Sequence, residues 1–117
     1  MTEQKIYNLM IKLLARTRAG DLTWEGTTSD EAYLTSLATF SVKVSQVWDD
    51  YGRESNILLS ISDSGGRAIE GSRDDELADK LHDPAVRVMM RDLYTEARRA
   101  ALGVDAALDK LLSELEE

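Results

Sequence analysis

The sequence predicts an α+β domain: an N-terminal helix, an antiparallel β-meander of four to five strands, and a C-terminal helical segment packed on the sheet. Three observations carry this. Apolar residues recur at spacings of three and four over residues 3–19. They alternate with polar residues in short runs over residues 22–71. Helical spacing returns after the Asp83-Pro84 step.

In the first segment Ile6, Leu9, Met10, Leu13 and Leu14 share one face of a helix. Thr2 is placed to cap its start. Glu3 lies near the positive end of the helix dipole, and Lys12, Arg16 and Arg18 near the negative end. Gly20 is placed to end the helix, because glycine enters the left-handed region without a steric cost.

The period then changes. LTWE (22–25) and AYLTSLA (32–38) read as short strands separated by a polar loop. In FSVKVSQVW, Phe40, Val42, Val44, Gln46 and Trp48 alternate with Ser41, Lys43, Ser45 and Val47, which predicts a longer strand. DDYGRES breaks the pattern. NILLSISD (56–63) resumes it with Ile57, Leu59 and Ile61 on one side, SGG marks a hairpin, and RAIEG (67–71) is the return strand. Short turns make the meander the simplest topology, with helices covering one face. Trp24 and Trp48 both read as core residues on these strands. Residues 72–83 read as an acidic connector. No internal repeat, low-complexity tract or linker is apparent.

The C-terminal region, 84–117, reads as helices. Asp83 and Pro84 form a start signal, since the aspartate accepts backbone N–H bonds and the proline wastes no donor. Val86, Met90, Leu93, Ala97, Ala100, Val104, Leu108, Leu111 and Leu115 keep a near-heptad stripe. Gly103 interrupts it, either ending one helix with Asp105 capping the next or sitting mid-helix at a cost of about 1 kcal/mol. The break is the favoured reading. The stripe suits both a helix that covers the chain's own sheet and one that pairs with a second copy. The sequence favours the cover, with only SELEE at the end solvated.

Composition bounds the function. The chain of 117 residues reads as one domain, 43% apolar, large enough to hold a core. It has no cysteine, so disulfides, thiolate metal sites and thiol catalysis are excluded. The formal net charge is −8, which opposes contact with long nucleic acids or anionic lipid. No apolar run approaches a membrane span, and the first residues lack the order of a secretion signal, so a cytoplasmic protein is expected. No phosphate-binding glycine loop, dinucleotide fingerprint, zinc-protease motif or nucleophile elbow occurs. His82 reads as a surface or capping residue. The pairs Asp49/Asp50 and Asp74/Asp75, and Asp63 before the glycines, read as solvated loop carboxylates rather than metal ligands. Neither a metal nor a cofactor is implied, and an enzyme is the least supported class.

Two clusters stand out as candidate sites. Arg87, Arg91 and Arg98 line one helix face, and Tyr51 and Arg53 share a loop; together they are candidates for a small anion or nucleotide. The plainer reading pairs the arginines with Asp92 and Glu96. Asp74, Asp75, Glu76 and Asp79 lie in the acidic stretch 73–83 and are candidates for docking a basic partner.

AGDLTWE after the first helix and RRAALGVDAALDKLL near the end are the most specific points of a resemblance that runs over most of the chain. The sequence resembles a recurrent type of small bacterial or phage protein to which no activity is assigned. The resemblance implies a helix, antiparallel strands and then helices. It carries over no site residues. The expected function is therefore a non-enzymatic interaction module that acts through a protein contact surface, with a partner protein or itself. The alternatives are a sequestering protein for a small anion or nucleotide in a defence or counter-defence system, and an acidic immunity protein for a basic toxin or nuclease.

Overall fold

A computed structural model describes residues 2–116. Helix α1 (Thr2–Arg18) is followed by strands β1 (Trp24–Gly26), β2 (Ala32–Ser36), β3 (Phe40–Trp48), β4 (Ser55–Asp63) and β5 (Ala68–Arg73). Three helices complete the chain: α2 (Asp74–Leu81), α3 (Ala85–Leu102) and α4 (Val104–Leu115). The strands pair in sequence order, β1-β2-β3-β4-β5, every pair antiparallel. The meander is the expected one, with five strands.

Pleating sorts the sheet into two faces. Trp24, Tyr33, Thr35, Val42, Val44, Ile57 and Leu59 are buried, and most of them meet across the strands, as in the row Tyr33–Val44–Leu59. The opposite face is serine-rich: Ser41 pairs with Ser62, and Ser60 stands across from Lys43. The helices therefore cover one face only. Helix α3 is the central element. Its Val86, Met90, Leu93, Tyr94 and Ala97 are buried, and it contacts β1 to β4 on one side and α1 on the other. Ile6, Met10, Leu13 and Leu14 of α1 join the same cluster.

The turn after α1 explains the AGDLTWE stretch. Gly20, at φ 78°, lets its own N–H and that of Asp21 bond back to Thr17 and Arg16 carbonyls at 3.1 and 2.9 Å. The chain then reverses so that the Trp24 indole N–H donates to Thr17 Oγ1 at 3.0 Å. That hydroxyl in turn donates to the Leu13 carbonyl at 2.6 Å. A buried tryptophan is satisfied, and β1 is tied to the end of α1.

Several expectations are corrected. The stretch read as an acidic connector, 72–83, folds as the end of β5 and helix α2. His82, expected at the surface of that connector, instead closes the helix in the left-handed conformation, φ 53°. Phe40 and Trp48 follow the core-facing alternation of β3, yet each is about half exposed. Only Val42 and Val44, at the middle of the nine-residue strand, lie fully beneath the helices, and the two ends overhang. Trp48 instead donates its indole N–H to the Glu31 carboxylate at 2.9 Å. Asp83 does cap, accepting the Ala85 N–H at 3.0 Å. Asp105 does not; it lies inside α4 and pairs with Arg99 at 2.8 Å.

The β3–β4 and β4–β5 hairpins share a short repeated device within segments expected to be plain turns. Asp49-Asp50-Tyr51-Gly52-Arg53 and Asp63-Ser64-Gly65-Gly66-Arg67 both have the form D-x-x-G-R. In each, aspartate Oδ1 accepts the N–H groups two and four residues on: Tyr51 and Arg53 at 3.1 and 2.9 Å, Gly65 and Arg67 at 3.0 and 2.9 Å. The aspartate side chain thus replaces backbone acceptors that a tight turn lacks.

Candidate functional site

The sequence-predicted clusters do not assemble as expected. Arg87 and Arg91 point at a carboxylate of their own chain. Asp74 opens α2 and is fully buried. The last register pair of the β4–β5 ladder is Leu58 with Arg73, so Asp74 stands one position beyond it. Its Oδ1 accepts the Ile57 N–H at 3.2 Å where the ladder has run out, and the Asp75 N–H at 2.9 Å. Its Oδ2 has no hydrogen-bond partner. Instead it lies 3.7 Å from Arg87 Nε and 3.8 Å from Arg91 Nε. Arg91 also donates to the Ser55 carbonyl. The pairing with Asp92 and Glu96 expected of these arginines is not made; Asp92 faces Arg18 of α1 at 3.6 Å. Arg87 and Arg91 are thus largely engaged in joining α3, α2 and β4. Arg98 lies further along α3 near Tyr94, whose phenol is pushed up by burial and by Tyr33 and Glu31, while Arg98 opposes the shift.

Tyr51 and Arg53 belong to the first D-x-x-G-R hairpin, with the guanidinium 5.8 Å from the ring centre. The proposed acidic quartet is broken up in a similar way. Asp74 is internal. Asp75 grips Arg73 through two bonds, 2.7 and 3.1 Å, and Glu76 lies 3.4 Å from the same guanidinium. The Arg73 hydrogen bond holds the Asp75 carboxyl below the usual range, and Arg73 is in turn held more firmly charged. Only Asp79 of the four is both exposed and without an ion pair among the described residues. Among the described residues, no group of three or more His, Asp or Glu could hold a metal ion, and no helix is long and apolar enough to cross a membrane.

One surface remains without an internal role. The stripe expected to cover the core does so only as far as Ala97. Ala100 is exposed, Val104 half-buried, and no residue of α4 is buried. Leu108, Leu111, Leu112 and Leu115 are 48–81% exposed. At 100° per residue, Val104, Ala107, Leu108, Leu111, Leu112 and Leu115 fall on one face of α4. Asp105, Asp109 and Glu116 follow one edge of that face. The only substantial contact of α4 is with the end of α3. Gly103, at φ 62°, is the single residue between the two helices.

This placement shapes the molecule. Twelve helical residues extend about 18 Å, and the chain measures 55 × 36 × 25 Å. Its radius of gyration is 15.5 Å, against about 13 Å for a compact domain of this length. The sequence carried the signal for this site, since the leucine spacing was legible. What it lacked was the direction the helix takes after Gly103.

No protein-family model, curated protein or solved structure matches this chain.

Proposed function

We propose that the chain is a non-enzymatic interaction module whose protein contact surface is the leucine face of α4. The observation that carries this reading is a complete amphipathic helix with no buried residue. An apolar helix face held in water is unfavourable by the same term that folds the rest of the chain, and a partner that covers it recovers that term. A helix laid by its apolar face into a groove is a recurrent way for small proteins to bind one another. The remaining polar groups fit this division of labour. The buried carboxylate, the arginines around it and the hairpin aspartates all serve the scaffold, which presents α4.

A chain ending at Gly103 tests the proposal. Its core is intact, since every buried residue precedes Ala100. It should unfold cooperatively, with a stability within about 0.5 kcal/mol of the full chain measured as a monomer. Leu111→Glu in the full chain should likewise leave the monomer's stability unchanged while abolishing association. Loss of cooperative unfolding on truncation would make α4 a cover for the chain's own core and overturn the reading.

A further inference from the structure

We infer that α4 is received by an apolar groove with a basic rim on a protein other than this chain; the inference rests on α4 being the contact surface. At 100° per residue the leucine face is centred between Val104 and Leu108. Asp105, Glu116 and Asp109 follow one flank of it, about 80°, 100° and 120° from that centre. They spread along about 16 Å of helix, so they border the leucines from end to end. Ala107 and Glu114 form the other flank. Lys110, the one cation in the sequence of α4, lies about 140° from the centre, on the back of the helix.

This flank is not satisfied within the chain. Asp105 accepts from Arg99 at 2.8 Å. Asp109 and Glu116 are exposed and form no ion pair among the described residues. Glu116 stands at the negative end of the helix, where a carboxylate is disfavoured, and the last turn holds no basic residue to offset it. The charge pattern serves α4 poorly on its own and suits a cationic neighbour. A cover over the leucines sets its own rim against these two carboxylates, and a basic rim is attracted where an acidic one is repelled.

A second copy does not supply that rim. Two α4 helices paired antiparallel about a two-fold axis meet with like flanks together, so Asp109 and Glu116 come beside the carboxylates of the mate. Paired in parallel, the acidic flank meets Ala107 and Glu114, which bring no cation. The leucine-lined hollow beside α1 does carry Lys12 and Arg16 at its edge, but its volume is about 190 Å³. A cavity of about 150 Å³ is filled by one benzene ring, so this hollow takes about one leucine side chain and not a face of four. A seat long enough for the leucines and basic along one rim therefore belongs to a different protein.

The test uses two designed helical hairpins as probes. Each presents a leucine-lined groove between its helices. One carries lysines along the rim that meets Asp109 and Glu116, and its twin carries glutamates there. Labelled hairpin is titrated with the full chain and followed by fluorescence anisotropy. The lysine-rimmed hairpin should bind about tenfold tighter than its twin or better, and the difference should shrink as salt is raised from about 50 to about 300 mM. Asp109→Lys with Glu116→Lys should reverse the preference, an outcome that damage to the fold does not produce. A lysine-rimmed hairpin that binds no better than its twin, or fails to bind, overturns the inference. So does a wild type whose mass by light scattering is twice the chain mass and returns to one chain mass on Leu111→Glu, because the leucine face then has its seat in a second copy. Hairpin binding that is indifferent to Leu111→Glu strikes α4 itself as the contact surface, and the inference falls with it.

Discussion

Removing the Asp74 side chain should destabilise the domain far more than removing any other carboxylate in the acidic stretch 73–83. In Asp74→Ala the Ile57 N–H, on a residue 1% exposed, loses its only side-chain acceptor. A buried donor left unpaired costs about 1–3 kcal/mol. The first turn of α2 loses its bond to the Asp75 N–H, worth roughly another 0.5–1 kcal/mol. Arg87 and Arg91 lose their shared counter-charge, but their side chains are 48% and 41% exposed and can turn to water. Their share is therefore well below the ~3–5 kcal/mol of a fully buried broken pair. The total is about 3 kcal/mol, or roughly 10–15 °C in Tm for a domain this size. Asp74→Asn keeps the Oδ1 acceptor and changes only the oxygen that has no hydrogen-bond partner, so about half that loss is expected. Urea unfolding with a constant slope measures both. A loss below about 0.5 kcal/mol for the alanine variant would refute the reasoning, because the ladder-ending bond would then carry no weight. An asparagine variant as damaged as the alanine one would move the weight from the hydrogen bonds to the charge.

Two further outcomes follow from other positions. His82 holds a left-handed backbone, φ 53°, with an exposed side chain, so His82→Gly should stabilise by about 0.5–1 kcal/mol; a loss of stability would mean that the imidazole itself contributes. Asp75 has a depressed carboxyl in the folded chain, chiefly through its hydrogen bond from Arg73. A depressed value means that its stabilisation is present above the unfolded carboxylate pKa, about 3.9, and is lost as pH falls through the folded value. Arg73→Gln should therefore flatten the loss of stability on acidification below about pH 4, and an unchanged acid limb would contradict the assignment.

The parts of the fold set by local chemistry were legible before the structure. Period-two and period-three-to-four patterns placed all five strands and the helices α1, α3 and α4, because each of these elements carries its own apolar face in its sequence. Gly20 and Gly103 end helices as their positions suggest, whereas His82 closes a helix where a loop was expected. The misreadings concern distance along an element or a choice of partner. Trp48 obeys the alternation of β3, yet no periodicity states where the covering helices stop. Residues 74–81 carry four acidic side chains and look solvated, because the burial of Asp74 depends on β5 ending beside Ile57. Arg87 and Arg91 were correctly placed on one face, but their partner lies on another element and thirteen or more residues away. Leucine spacing described α4 well and was silent on whether anything covers it.

The sheet bears on what kind of assembly this chain can enter. One edge strand, β1, is only three residues long, and the other, β5, meets its neighbour across an irregularity at Ile61/Ser62. Both edges are poor templates for adding strands from another molecule. The outer face mixes serines and Lys43 with the half-buried Leu34, Val47 and Leu58, so its apolar surface is interrupted. With both sheet edges blunted, the proposed contact falls to the four exposed leucines of α4, a single short patch rather than an extendable strand edge, which favours a finite complex over a fibre.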